Sequence, residues 1–482
     1  MEESTSLFTA LFLLVYEVGG WVIRIVMLTV VVRNRRPSAA MAWLLIVFFM
    51  PWPGLILYLL IGNDRLPKRR LERHAQLLEA IRRDLARIRL TPEATHPNLH
   101  PGQQGVVDLA HRLSDVTIAG GNSVELLADT DETIRRLCED IRAATGHVQL
   151  MAYIFADDDT GRGVVEELIA AAERGVTCRV IVDAVGSRPM LRTMAPRMRA
   201  AGIPTVAALP ANPFRRQVAR LDIRNHRKLA VIDGVIGYTG SQNIVNREYG
   251  HEDLAWEDLM VRVTGPVVPQ IQSVFVQDWF METGEMLGGE VLFPQQPVTG
   301  TVPAQCLPSG PNYPMATYQR MVVAAVYAAR KHVVITSPYF VPDEPFMDAL
   351  EVAVLRGVEV SIVLPARYDQ HIAGAASRSY YEDLLDAGVK VYLYRPGLIH
   401  SKTMTVDYDL AFVGTSNFDI RSFRLNFEVN MVFYEAYVAE ALLAQQESYI
   451  ANSDELTIES WSRRPVHQRL GQNLSRLLSP LL

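Results

Sequence analysis

The chain has 482 residues, of which 49% are hydrophobic and 21% charged, and its formal net charge is −6. That length needs more than one compact unit, and that composition excludes a disordered chain. An acidic total argues against nucleic acid as the main partner, and three scattered cysteines (Cys138, Cys178, Cys306) exclude both a disulfide framework and a cysteine-rich zinc site.

In chain order, the first element is an apolar run from Leu7 to Val32, long enough to cross a hydrocarbon layer of about 30 Å. Its acidic start, its length and a second run after it separate it from a cleaved signal peptide. Glu17 and Arg24 lie inside the run, where an ionisable group needs a partner. The second run, Ala39–Ile61, is interrupted by Pro51 and Pro53, which predicts a kinked or re-entrant segment in place of a straight span. Residues 1–64 are therefore expected to form a two-helix transmembrane hairpin. Its turn carries Arg33, Arg35 and Arg36, but residues 65–89 carry more cations, which places the C-terminal bulk in the cytoplasm under the positive-inside tendency.

Residues 65–118 read as a basic amphipathic helix and a polar linker, suited to anionic headgroups. Beyond them, phrases recur in the same order. "HVQLMAYIF" (147–155) is answered by "HVVITSPYF" (332–340), "AAERGVTCRVIVD" (171–183) by "AVLRGVEVSIVLP" (353–365), and "AAGIPTVAAL" (200–209) by "DAGVKVYLY" (386–394). Each series alternates β-branched runs with helical segments. An α/β fold follows, with two duplicated lobes (119–298 and 299–482), each a mixed sheet flanked by helices.

Each series closes on His-x-Lys-x-x-x-x-Asp: His226, Lys228 and Asp233, then His400, Lys402 and Asp407. Residues two apart in a strand share a face, so His and Lys can reach one ligand together. The imidazole offers a nucleophile or a proton donor, and the ammonium offers charge to a phosphate oxygen. Asp233 and Asp407 complete the motif but are expected to bond locally. A metal held by the two histidines is disfavoured, because each is paired with a lysine that repels a cation. After each motif comes Gly-x-x-Asn, giving Gly240 and Asn243, then Gly414 and Asn417, as candidate phosphate contacts. Asp258 and Glu428 then occupy matching positions, where a carboxylate behind each His would fix its tautomer. The chemistry alone leaves the two histidines interchangeable.

This duplicated pattern resembles the phospholipase D superfamily and, within it, the bacterial cardiolipin synthases, across nearly all of residues 120–460. The resemblance implies a phosphatidyl transfer between two phosphatidylglycerol molecules that yields cardiolipin and glycerol. It implies His226 as nucleophile, His400 as acid and base, and no metal or cofactor. A membrane-bound phospholipase D using water, or more remotely a nuclease, is the alternative. The partners expected are phosphatidylglycerol, cardiolipin and anionic membrane lipid, with no nucleic acid; a homo-oligomer is compatible. The expected location is the bacterial cytoplasmic (inner) membrane, as a multi-pass protein. The basic stretch 212–228 and the Arg- and Leu-bearing C-terminus are further candidates for contact with lipid.

Overall fold

The computed structural model describes residues 2–34, 37–62, 68–89, 91–100, 102–210, 220, 222–251, 253–313 and 316–477. The chain divides into two units, Met1–Arg70 with Ala211–Ile223, and Leu71–Pro210 with Arg224–Leu482. Most of the basic stretch 212–228, the first residues of the juxtamembrane segment and the last five residues of the chain lie outside the described residues.

In the first unit, one helix runs from Glu2 to Asn34, and its Phe12–Arg33 portion is long and apolar enough to cross a bilayer. The second apolar run is not a second span. It is two helices, Pro37–Phe49 and Pro51–Ile61, of 13 and 11 residues. Each would cover only about 16–20 Å at 1.5 Å per residue, short of the hydrocarbon thickness. Pro51 has no N–H to continue the first of them, and Met50 leaves helical geometry (φ −132°, ψ 74°).

The chain then folds back on itself. The Trp43 and Tyr58 rings meet edge to face with centroids 5.2 Å apart, and a Cβ on Gly54 would lie 2.9 Å from the Val47 Cα. The missing side chain of Gly54 is thus what lets the two short helices touch. Both pack on the long helix, where Tyr16 stacks on Trp52 and Arg24 Nε donates to the Phe48 carbonyl at 2.9 Å. Arg24 also lies over the Trp21 and Phe48 rings, which answers the cost of a cation at this depth. The expected two-helix hairpin is therefore corrected to one long helix with a re-entrant helical pair against its C-terminal half.

In the second unit, fifteen strands form one sheet. From its first edge come Thr205–Ala208, Thr177–Asp183, His147–Ala152, Leu229–Ile232, Ile236–Gly240, Met260–Thr264 and Ala119–Leu127. From the other side the equivalent series is Lys390–Tyr394, Glu359–Pro365, His332–Thr336, Thr403–Val406, Leu410–Gly414, Glu428–Phe433 and Val302–Ser309, with Ser453–Leu456 added at its edge. The repeat seen in the sequence is thus a repeat of strand order. The halves join where Ala119 faces Ala304 and Asn122 faces Val302 in an antiparallel pair.

Alternation along the strands builds separate cores on the two faces. Val148, Leu150, Val180, Val182, Ala230 and Ile232 enter an outer core under the helices Thr130–Ala143 and Asp159–Glu173. Met151, Ile181, Leu229 and Val231 enter a central core shared with Val413, Val429 and Met431 of the second half. The helix Val268–Thr283 supplies much of that central core, and the basic helix Lys68–Leu85 contributes Leu77 and Ile81.

Among the described residues only the helix Glu2–Asn34 is long and apolar enough to cross a bilayer, which has a topological consequence. A cysteine introduced as Ser4→Cys is expected to react with a membrane-impermeant maleimide from the side opposite to the catalytic unit. Labelling from the same side would restore a two-span hairpin.

Candidate active site

Each His-x-Lys stands just before a strand, not within it. His226 and Lys228 lead into Leu229–Ile232, and His400 and Lys402 into Thr403–Val406. The cause is that these backbones pair across the lobes. The His226 N–H donates to the Phe427 carbonyl at 2.9 Å, and the His400 N–H to the Glu257 carbonyl at 2.8 Å. Asn225 bridges Phe427, and Leu398–Ile399 pairs with Trp256–Glu257. The extended geometry still sets His and Lys together, with Lys228 Nζ donating to the His226 carbonyl at 2.8 Å and Lys402 Nζ to the His400 carbonyl at 2.5 Å.

The carboxylates are exchanged between lobes. His226 Nδ1 lies 3.0 Å from Glu428 Oε2, and His400 Nδ1 lies 2.5 Å from Asp258 Oδ1. His226 Nδ1 is also 3.0 Å from the Thr415 carbonyl oxygen, which can only accept. With two acceptors facing it, Nδ1 carries the proton and Nε2 holds the lone pair. Each carboxylate is steadied by a hydroxyl: Thr415 Oγ1 donates to Glu428 and Ser241 Oγ to Asp258, both at 2.6 Å. Aromatic rings back the imidazoles, Tyr153 against His226 at 4.8 Å and Trp256 against His400 at 4.3 Å.

Burial dominates the electrostatics. It pushes His226 down to about 4, against the opposing pull of Glu428, and the Lys228 charge lowers it further. His400 is lowered for the same reason, with Asp258 opposing. Burial and the neighbouring Lys402 bring Lys228 down to about 7, and burial brings Lys402 to about 8. Glu428 and Asp258 are held below the usual carboxylate range, because their imidazole and lysine neighbours outweigh their own burial. Lys402 acts on His226 and Lys228 acts on His400, so the two motifs form one cluster of charge.

The remaining expected residues divide. Asp233 and Asp407 sit beyond the far ends of the strands, each in left-handed geometry (φ 51° and 50°). Asp233 accepts from the backbone N–H groups of Thr145, Gly146 and His147, and Asp407 from those of Arg330, Lys331 and His332. They fasten the strand ends and make no contact with the imidazoles. Gly240 and Gly414 serve strand packing: a Cβ would lie 2.4 Å from the Leu259 carbonyl oxygen in the first and 2.2 Å from Asn430 Oδ1 in the second.

The two amides differ. Asn243 Oδ1 accepts from the Ile154 N–H at 3.0 Å, and among the described residues no acceptor takes its Nδ2. Asn417 Nδ2 instead donates to Asp419 at 3.0 Å, and its Oδ1 is buried without a partner.

Sequence reasoning missed four residues. Ser241 and Thr415 were legible as the hydroxyl after each repeated glycine. Arg227 and Asp278 carried no repeat signal, since Ser401 stands where the second motif would need the arginine. The fully buried Arg227 donates to Asp278 at 2.7 Å, to the Glu428 carbonyl at 3.0 Å and to the Ser309 carbonyl at 3.2 Å, tying the first motif to the second lobe.

With this geometry in place, comparison with known proteins is decisive. A family model described as "Cardiolipin synthase, PLD-like domain" matches residues 137–279 and 322–450. The chain belongs to this family. A second model, "Phospholipase_D-nuclease N-terminal", matches residues 22–63. Cardiolipin synthase A of Proteus mirabilis is 37% identical over 465 residues, covering 94% of this chain and 95% of that protein. The protein of the same name from Pectobacterium carotovorum is 37% identical over 477 residues, covering 96% and 97%. Among solved structures, the phosphatidylserine synthase of Haemophilus influenzae shares the fold, with a TM-score of 0.62 at 14% identity over 78% of this chain and 99% of that one. Membership makes the chain an enzyme of the phosphatidyltransferase kind, and the long apolar helix makes it membrane-associated.

Two outcomes follow from the site. Glu428→Gln is expected to lower kcat on the order of 10³- to 10⁴-fold by removing the charged acceptor behind His226, with nitrogen NMR showing Nδ1–H in both proteins, because the Thr415 carbonyl still accepts it, but a weaker Nδ1 hydrogen bond in the variant. Phosphatidylglycerol binding to the non-reacting His226→Ala enzyme is expected to weaken as pH rises through about 7 to 8, where Lys228 and Lys402 discharge. An affinity flat across that range would mean that these ammonium groups do not hold the phosphate.

Proposed function

We propose that this enzyme is a cardiolipin synthase that transfers a phosphatidyl group from one phosphatidylglycerol to another with release of glycerol. The observation that carries this reading is the pair of imidazoles, each held by a carboxylate of the opposite lobe within one lysine-bearing cluster.

In the first half-reaction, His226 Nε2 attacks the lipid phosphorus. A P–N bond forms, the P–O bond to glycerol breaks, and His400 gives that oxygen its proton. In the second, neutral His400 takes the proton of a glycerol hydroxyl on another phosphatidylglycerol. Its oxygen forms the new P–O bond as the P–N bond breaks, which restores both histidines. His226 suits the nucleophile because its Nδ1 is committed to two acceptors and it stays neutral far below pH 7. His400, on one close carboxylate, suits the group that must carry a positive charge. Lys228, Lys402 and the amide of Asn243 stabilise the non-bridging oxygens. One phosphodiester replaces another, so no nucleotide is needed.

The two lobes are read as 119–298 and 299–482, preceded by the membrane segment 1–64 and the basic segment 65–118. The re-entrant geometry favours a cytoplasmic catalytic unit more strongly than two spans would. Arg33 and the basic run after residue 65 then fall on one side of the membrane, where a two-span hairpin would set them against each other. The location proposed is the bacterial inner membrane.

His226→Ala and His400→Ala are each expected to abolish cardiolipin formation in membranes of a host lacking that lipid. Labelled phosphatidylglycerol, quenched under denaturing alkaline conditions, is expected to leave label on His226. Label on His400 would reverse the roles, and phosphatidic acid as the main product would make the enzyme a hydrolase.

A further inference from the structure

The helix Val466–Arg476 is docked with its polar side inward. Arg464, just before it, and Arg469 both donate to Glu382, while Arg476 pairs with Asp383 at 2.7 Å and lies over the Tyr380 ring. Gln472, on the same side, is buried and accepts from Arg464 Nε at 3.1 Å. The apolar side chains point the other way. Val466, Leu470, Leu474 and Leu477 are 80%, 60%, 55% and 75% exposed. At 100° per residue they fall within one narrow arc of the helix. On the adjoining helix His371–Arg378, Ile372 is also 55% exposed.

A soluble protein would bury such a stripe, and here ion pairs fix it facing outward. The helix carries no acidic residue, and its His467 and the preceding Arg463 are both exposed. Register places it in the fold. Thr336, beside Thr403 at the start of the second motif's strand, also faces Val363 near the end of Glu359–Pro365. The helix His371–Arg378 follows that end, and Ser377 Oγ accepts from the Phe340 N–H and contacts Tyr368 Oη. The stripe therefore belongs to the end of the sheet that carries the imidazoles.

We propose that this helix is a membrane-docking surface that rests on an anionic phospholipid leaflet and lays the mouth of the active site against it. Apolar side chains would enter the headgroup–acyl boundary by about 5–10 Å while the arginines stay at the phosphates. The proposal rests on the reading of the chain as a membrane lipid enzyme, but its test is independent of turnover.

The full-length protein, carrying Cys138→Ser and Leu474→Cys with an environment-sensitive dye, is reconstituted in phosphatidylglycerol vesicles and in phosphatidylcholine vesicles. The expected result is a blue-shifted emission that nitroxide-labelled acyl chains quench, more strongly in the anionic vesicles. The same dye at Leu355, more exposed than Leu474 but at the opposite end of the sheet, is expected to report water. Water-like emission at Leu474 overturns the proposal, and so does a blue shift that nitroxide lipids leave unquenched, which would mean a protein partner. As a second measurement, Leu470→Glu with Leu474→Glu is expected to reduce turnover of vesicle lipid while sparing that of lipid dispersed in detergent. Equal turnover of vesicle lipid by parent and variant counts against the docking role. Quenching that persists in a catalytically silent protein would fault the chemistry and leave the docking intact.

Discussion

The exchange of carboxylates between lobes is the interaction on which the rest depends. Neither imidazole is oriented from within its own repeat. Glu428 reaches back to His226 and Asp258 to His400, and each pairing is laid down by a backbone contact one residue earlier, through Phe427 and Glu257. The joined sheet, the shared central core and the buried Arg227–Asp278 pair all hold the lobes at the separation these bonds need. Removing one member of a buried ion pair costs about 3–5 kcal/mol because the other is left uncompensated. The fold therefore tolerates little slippage between its halves.

Burial supplies the chemistry as well as the rigidity. The same loss of solvent that keeps His226 neutral also weakens the hold of Lys228 and Lys402 on their protons. The Lys402 charge adds to burial in weakening the hold of Lys228 on its proton, as expected for two ammonium groups that repel. The same burial keeps water away from the cluster.

Much of this was legible in the sequence, because duplication wrote each element twice. His226, Lys228, His400 and Lys402, which the structure brings into one cluster, stood out by their spacing, and Asp258 and Glu428 by their matching places in the repeat. The exchange of partners was not legible, since spacing along a chain says nothing about which lobe a side chain faces. The packing role of the glycines was not legible, because only the neighbouring strands, at Leu259 and Asn430, show why a side chain is excluded. Pro51 and Pro53 marked the second apolar run as kinked or re-entrant, but the two-helix hairpin drawn from it did not include the fold-back into two short helices that Gly54 permits. Arg227 left no trace, having no counterpart in the other half.

The crossed pairing also bears on ancestry. A lone repeat would own an imidazole and a carboxylate that cannot meet, so a single-repeat forebear could have worked only as two copies embracing about a two-fold axis. In one polypeptide the pair is permanent, and each half is free to differ from the other. The difference is visible where Asn243 bonds to a backbone amide and Asn417 to Asp419. An enzyme with two identical halves could not tell donor from acceptor; one whose halves have diverged can.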